Sequence, residues 1–97
     1  MSKKLTIVAR IEAKESNIEL VKAEALKLIE PTRNEEGYIK YDLYQDNENP
    51  NVLVFIETWE NKELWQEHVE NIPLQNFLKV TDGLLSDLTI TQLSKIA

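Results

Sequence analysis

The 97-residue sequence predicts an α+β fold of one domain, residues 1–97, with its elements in the order βαββαβ. Three observations predict this order. The first segment alternates apolar and polar residues, which is typical of a strand with one buried face. Two later extended segments are separated only by a run of turn-forming residues, as in a β-hairpin. Segments with apolar residues at helical spacing follow the first and the third strand.

The first strand and the helix after it are predicted from periodicity and from end signals. Leu5 to Ala13 alternate in hydropathy and predict the strand. The segment Ser16-Asn17-Ile18-Glu19 predicts a capping box, in which the serine hydroxyl bonds a helix amide and the glutamate reaches back. Apolar residues continue at helical spacing to Ile29. Pro31 predicts the end or a kink of this helix, because proline lacks an amide proton and clashes with the preceding turn.

A β-hairpin is predicted in the middle of the chain. Gly37 stands where the chain turns into the second strand, and glycine can adopt the positive φ that such a turn needs. Strands are predicted over Tyr38–Gln45 and Val52–Trp59, with the turn formers of residues 46–51 between them. Apolar residues occupy both faces of the second of these strands, which therefore needs cover on both faces.

The last third of the chain predicts two helices and a strand. Asn61 can cap a helix over Lys62–Glu70, and Pro73 can occupy the first turn of another short helix. The β-branched residues within Leu88–Leu93 predict the last strand. Right-handed crossovers then place the helices on one face of a four-stranded antiparallel sheet, which is the ferredoxin-like arrangement. The apolar second face predicts a homodimer through packed sheets.

Composition disfavours several classes of protein. Eleven lysines and arginines against 17 aspartates and glutamates give a net charge of −6, which disfavours binding to nucleic acid or to anionic membranes. The chain has no cysteine and a single histidine, His68, so we expect no metal site. The pattern of a signal peptide and an apolar run of about 20 residues are both absent from this sequence, so we expect a cytoplasmic protein. Without a glycine-rich phosphate loop or a flavin fingerprint, we expect no bound cofactor.

Two segments of the chain carry a resemblance to a known family. Residues 31–43 are similar to its passage from helix to strand, and residues 57–61, with Leu64, His68 and Phe77 after them, are similar to its Glu-x-Trp segment and histidine-bearing helix. On these residues the chain resembles the antibiotic biosynthesis monooxygenase (ABM) domain family, from about Leu5 to Leu93. The resemblance implies the ferredoxin-like fold and a dimeric α/β barrel.

For function, the resemblance implies a cofactor-independent monooxygenase that oxidises a small electron-rich aromatic, such as a quinol or phenol, with O₂. Many relatives have a second histidine shortly after the proline of the broken helix, but residues 73–77 contain none. Haem-degrading relatives use an asparagine on the first strand, where this chain has Ala9 and Arg10, so haem degradation is not implied. Two alternatives stay open: a non-catalytic dimer that binds a small ligand or acts in a stress response, and a small-metabolite isomerase that would use His68 with Glu57.

His68 is the candidate catalytic residue, because the pKa of histidine lies near neutrality. As a general base it would remove a phenolic proton, and as a structural residue it would bond a loop or a nearby carboxylate. Trp59 is expected either to wall an aromatic pocket, with its indole N–H toward a substrate oxygen, or to fill the core. Glu57 shares a face with Trp59, and an ion pair with Arg10 is favoured over a catalytic role.

Three more aromatic residues are candidates for the substrate pocket. Tyr41 and Tyr44 point to opposite faces of one strand, and Tyr41 is the better candidate because it shares its face with apolar residues. Trp65 and Phe77 can close an apolar cavity between the helices and the sheet. For each of these three residues, the alternative is an ordinary place in the core.

Overall fold

A computed structural model describes residues 3–97. Its elements are β1 (Leu5–Ala13), α1 (Ile18–Leu26), α2 (Ile29–Thr32), β2 (Tyr38–Gln45), β3 (Val52–Trp59), α3 (Lys62–Glu70), α4 (Ile72–Val80) and β4 (Leu85–Leu93). The strands form one antiparallel sheet in the order β2-β3-β1-β4, which confirms the predicted ferredoxin-like fold. No helix within residues 3–97 is long and apolar enough to cross a membrane.

The register of the strands decides which side chains share a face of the sheet. Ile7 of β1 lies opposite Glu57 of β3 on one side and opposite Gln92 of β4 on the other. Tyr41 of β2 also lies opposite Glu57. Residues directly opposite each other in an antiparallel pair point to the same face, so these four side chains share one face. We call it the helix face, because the helices pack on it.

The hydrophobic core lies between the helix face and the helices. Strand β1 contributes five consecutive inward positions, and α1 and α4 contribute the buried residues that cover them. The buried core residues are Leu5, Ile7, Ala9, Ile11, Ala13, Val21, Ala25, Leu28, Tyr41, Leu53, Phe55, Trp59 and Phe77.

The opposite face of the sheet, which we call the open face, is also rich in apolar residues. It carries Val8, Val54 and Ile56 at its centre, with Tyr44 and Leu93 toward its edges. The side chains of Tyr44 and Leu93 are 49% and 44% exposed. Strand β3 is therefore apolar on both faces, as predicted.

Of the two signals predicted for the first helix, the capping box is wrong and the interruption caused by Pro31 is confirmed. Ser16 lies in a short 3₁₀ turn, Glu15–Asn17, and no side chain caps the start of α1, so the capping box does not form. The helix predicted to end or kink at Pro31 is interrupted between Leu26 and Ile29, in the turn before the proline, and Pro31 itself lies within α2. Pro31 fits there because the amides of the first turn have no partner within the helix, so the missing N–H costs no hydrogen bond.

Other predicted end signals are confirmed. Gly37 has a φ of +86° at the turn into β2. The Asn61 side chain accepts a hydrogen bond from the amide of Leu64 at 2.9 Å and caps α3, and Pro73 lies in the first turn of α4. Strand β4 begins at Leu85 rather than at the predicted Leu88, because a register shift after Glu12 lets β1 pair with the earlier residues.

Candidate functional site

A cavity of about 300 Å³ lies between the helix face and the helices α3 and α4. Most of its wall is apolar, and its polar side chains are few. The lining residues are Ile7, Ala9, Ile11, Tyr41, Phe55, Glu57, Trp65, His68, Val69, Leu74, Phe77, Leu78, Leu88, Ile90 and Gln92. The cavity opens along β4, where Leu88 and Ile90 face it and remain 42% and 47% exposed.

His68 is placed in the cavity wall by α3 and is held by a carboxylate. Its Nδ1 lies 2.7 Å from Oε1 of Glu35, in the loop before Gly37. The positive φ of Gly37 turns the chain there, and the Gly37 carbonyl accepts the amide of Glu60 at 2.9 Å, so the loop lies against the start of α3. The structural role considered for His68, a bond to a nearby carboxylate, is thus confirmed.

The Glu35 carboxylate determines which nitrogen of His68 is available. As an ionised acceptor it keeps the proton on Nδ1, which leaves the lone pair of Nε2 free in the neutral ring. Burial lowers the pKa of His68, and the hydrogen bond and negative charge of Glu35 partly oppose this shift. His68 can therefore accept a proton at Nε2, with the resulting imidazolium stabilised by Glu35. A role for His68 as a base is chemically consistent with its structural bond.

Trp59 lies behind His68 rather than in the cavity wall. It is fully buried, and its ring centroid is 4.7 Å from that of His68 with the planes 31° apart. Its Nε1–H donates to Oε1 of Glu57 at 2.9 Å, so the indole N–H is engaged within the protein. Of the two alternatives for Trp59, a place in the core is confirmed, and an indole N–H directed at a substrate oxygen is not. Trp59 instead holds the His68 ring and the Glu57 carboxylate in position.

Glu57 is a buried acid, and the predicted ion pair with Arg10 is wrong. It is 4% exposed on the helix face, whereas Arg10 points to the open face and approaches Glu12 and Asp87 at 3.5 Å. The alternation of side chains along β1 puts Arg10 on the wrong side of the sheet for Glu57. Burial raises the pKa of Glu57 to about 7, against the lowering effect of the Trp59 hydrogen bond. Glu57 can thus exchange a proton near neutral pH.

Tyr41 supplies a neutral phenol to the cavity wall. It is 1% exposed, its ring stacks on Phe55 at 5.1 Å, and it meets His68 edge-on at 5.5 Å. Burial raises the pKa of its hydroxyl far above the ordinary value, and the charge of Glu57 adds to this shift. Tyr44 is exposed on the open face, so the two tyrosines lie on opposite faces of the sheet as predicted, and only Tyr41 lines the cavity.

Trp65 and Phe77 line the cavity from α3 and α4. Phe77 is also 4% exposed and belongs to the core. This residue therefore both lines the cavity and fills the core, the two roles considered for it. Of the six residues proposed from the sequence, five line the cavity and Trp59 supports it. Among residues 3–97, no cluster of three or more histidine, aspartate or glutamate side chains could hold a metal ion.

Sequence reasoning missed Glu35 and the contribution of β4. Glu35 is 33 positions before His68, and nothing in the spacing of the two residues indicates a contact. Leu88 and Ile90 belong to a strand whose pattern predicts only an extended conformation. Leu88 and Ile90 are bulky apolar residues at alternate positions of this strand, and that spacing was the available signal that one of its faces lines the cavity.

Comparison with known proteins gives consistent matches. The model of the family described as antibiotic biosynthesis monooxygenase matches residues 4–80. "Putative monooxygenase YcnE" of Bacillus subtilis is 31% identical over 94 residues, which cover 94% of this chain and 99% of that protein. An uncharacterised Synechocystis protein is 28% identical over 93 residues; the match covers 96% of this chain but 63% of that protein. PA3566 of Pseudomonas aeruginosa has a crystal structure with a TM-score of 0.94 and 31% identity, covering 100% of this chain and 98% of that one.

Proposed function

This chain belongs to the antibiotic biosynthesis monooxygenase family, and we propose that it oxidises a small electron-rich aromatic, such as a quinol or phenol, with O₂ and without a bound cofactor. One observation carries the proposal. His68, oriented by Glu35, lies in the wall of a mostly apolar cavity of about 300 Å³. A cavity of a few hundred Å³ with a few polar groups is typical of a small-molecule site.

The first step of the proposed reaction is a proton transfer. The ring of the substrate occupies the apolar cavity, with one hydroxyl at Nε2 of His68. His68 accepts the hydroxyl proton, and the Glu35 carboxylate 2.7 Å from Nδ1 stabilises the imidazolium. Exclusion of water by the apolar wall leaves the substrate anion poorly solvated, which favours transfer of its electrons to O₂.

The overall reaction balances without an external reductant. The substrate loses four electrons and O₂ accepts four; one oxygen atom bonds to a ring carbon and the other leaves as water. For 1,4-dihydroxynaphthalene, the products are 2-hydroxy-1,4-naphthoquinone and one water molecule. Glu57, whose pKa is raised to about 7, supplies a proton as the oxygen–oxygen bond breaks, together with the proton held by His68.

Oxygen consumption tests this function. The purified chain is mixed with a panel of quinols in an oxygen electrode, with the rate of autoxidation subtracted, and the product is collected under ¹⁸O₂. We expect substrate-dependent uptake, one labelled oxygen atom per product, and a loss of at least about a hundredfold in His68→Gln. Exposed Glu67→Gln on the same helix is the matched control and keeps the full rate. Uptake no faster than autoxidation, or unchanged in His68→Gln, contradicts the proposal.

A second candidate function is acid–base isomerisation, because His68 and Glu57, two groups that can exchange a proton near neutral pH, line the same cavity. Turnover of a small metabolite without O₂, detected by mass spectrometry in an anaerobic chamber and lost in Glu57→Gln, would favour this candidate over the oxygenase. Ligand binding with neither oxygen uptake nor anaerobic turnover would favour the non-catalytic binding protein.

We also propose that two copies of the chain form a homodimer through their open faces. The apolar residues Val8, Val54 and Ile56 at the centre of this face support the proposal, and a stable interface requires about 800 Å² from each partner. Sedimentation at micromolar concentration is expected to give a dimer for the native chain and a monomer for Val54→Lys. Leu26→Lys, at an exposed position of α1, is the control. A native monomer at these concentrations excludes the dimer.

A further inference from the structure

A second concave surface borders the cavity. It is a cleft of about 620 Å³, which we call the lysine cleft, lined by Lys3, Lys4, Leu5, Asn61, Lys62, Glu63, Gln92 and Ser94. Gln92 also lines the cavity, so the two surfaces meet at this residue. Nothing in the proposed oxygenation uses the lysine cleft.

Strand geometry shows that the cavity and the lysine cleft lie end to end on the helix face. Along β1, Ile7 lines the cavity, and Leu5, the next residue on that face, lines the cleft. Along β4, Ile90 lines the cavity, Gln92 lines both, and Ser94 lines the cleft. Four residues of extended chain separate Ile90 from Ser94, a distance of about 13 Å. This separation is within the length of a single small molecule.

The lysine cleft concentrates positive charge in an acidic protein. Lys3, Lys4 and Lys62 line it against one carboxylate, Glu63, whereas the whole chain carries a net charge of −6. Within residues 3–97, none of these three lysines forms an ion pair. Their ammonium groups are therefore available to a ligand, and the nearby start of α3 adds a partial positive charge.

We propose that the substrate of this chain is an aromatic acid, with its oxidisable ring in the cavity and a carboxylate at its far end in the lysine cleft. For the oxidation of the ring, this proposal rests on the proposed function. The binding of the aromatic acid does not depend on that reaction and can be tested without it. A small excess of lysine over glutamate suits one negative charge. Since a protein of net charge −6 repels anions at long range, the lysines attract the carboxylate only within about 10 Å.

A matched pair of stable phenols tests the proposal by binding alone. The probes are 6-hydroxy-2-naphthoate and its neutral amide, titrated into the protein by calorimetry at low salt. We expect the carboxylate to bind about three- to tenfold more tightly than the amide, and the preference to shrink in 0.5 M salt, because the lysines are exposed. The triple variant Lys3→Gln/Lys4→Gln/Lys62→Gln is expected to bind both probes alike.

A second triple variant controls for net charge. Lys14→Gln/Lys27→Gln/Lys40→Gln removes the same number of positive charges from exposed positions outside the cleft. This variant is expected to keep the carboxylate preference. Equal affinities for the two probes in the native protein, or a preference that survives in the cleft variant, overturns the proposal. Oxygen uptake from quinols without any preference for acids leaves the oxygenase standing and refutes the acid substrate. A carboxylate preference without oxygen uptake refutes the oxygenase alone.

Discussion

Glu35 and His68 are 33 residues apart in the chain, yet Oε1 of Glu35 lies 2.7 Å from Nδ1 of His68 inside the fold. The His68 side chain is 2% exposed and that of Glu35 is 12% exposed. A hydrogen bond to a charged group in such surroundings is stronger than one between neutral groups at the surface. The pair therefore determines both the ring orientation of the only histidine in the chain and the nitrogen that is free to act.

The effect of Glu35 on His68 can be measured directly, because a single histidine gives a single imidazole signal in NMR spectra. We expect Glu35→Gln to lower the pKa of His68 further below that of the native protein, since the glutamine keeps an acceptor but loses the negative charge that favours the imidazolium. The free energy of unfolding should fall by about 1 kcal/mol. Exposed Glu36→Gln is the control. An unchanged His68 titration in Glu35→Gln would contradict the assigned role.

The raised pKa of Glu57 predicts that the stability of the folded protein depends on pH. Its pKa is raised from 4.5 to about 7 in the folded protein, so the folded state binds more protons than the unfolded state between these pH values. Stability from this group is therefore highest at low pH and falls as the pH rises to about 7. The shift corresponds to about 3 kcal/mol.

We therefore expect Glu57→Gln to be more stable than the native protein by about 1–3 kcal/mol at pH 8 and by less than about 1 kcal/mol at pH 5. Urea unfolding followed by tryptophan fluorescence at the two pH values measures this difference. Glu67→Gln, on an exposed turn of α3, should match the native protein at both. A stability difference that is the same at pH 5 and pH 8 would show that Glu57 does not carry a raised pKa.

The opening of the cavity along β4 predicts a specific block of ligand binding. Ile90 lines the cavity and is 47% exposed, so a larger ring at this position can cover the opening without being forced into the core. We expect Ile90→Trp to weaken binding of a hydroxynaphthalene at least about tenfold in calorimetry, with an unchanged circular dichroism spectrum. Leu26→Trp, on exposed α1, should bind normally. Equal affinities in both variants would mean that ligands enter elsewhere.

Local patterns predicted the bounds of three of the four strands, but they did not predict the contacts of the site. Strands β2 and β3 have the predicted bounds, because alternation and turn formers are properties of neighbouring residues. Ser16 shows the limit, since a capping sequence forms a box only if the helix begins at the right residue. The Glu35–His68 bond and the placement of Arg10 away from Glu57 depend on strand order and packing. Neither the strand order nor the packing can be read from the local pattern of a single sequence.

The two glycines with positive φ provide a matched test of how the His68-bearing helix is positioned. Gly37 has a φ of +86°, and a Cβ there would lie 2.6 Å from Cβ and Cδ1 of Leu64 in α3. Gly83 has a φ of +80°, but a Cβ there would meet no atom within 4 Å. Alanine at either position must adopt the left-handed conformation, which costs about 1–2 kcal/mol. Only in Gly37→Ala does the new Cβ also clash with α3.

We therefore expect Gly37→Ala to lose about 2–5 kcal/mol of unfolding free energy and Gly83→Ala about 1–2 kcal/mol, measured by urea unfolding. Leu64 cannot yield without moving α3, because its Cβ is fixed to the helix backbone. The displacement should reach His68 one turn later and change its NMR titration in Gly37→Ala only. Equal losses of stability in the two variants, or an unchanged His68 titration, would show that the loop before β2 does not set the position of α3.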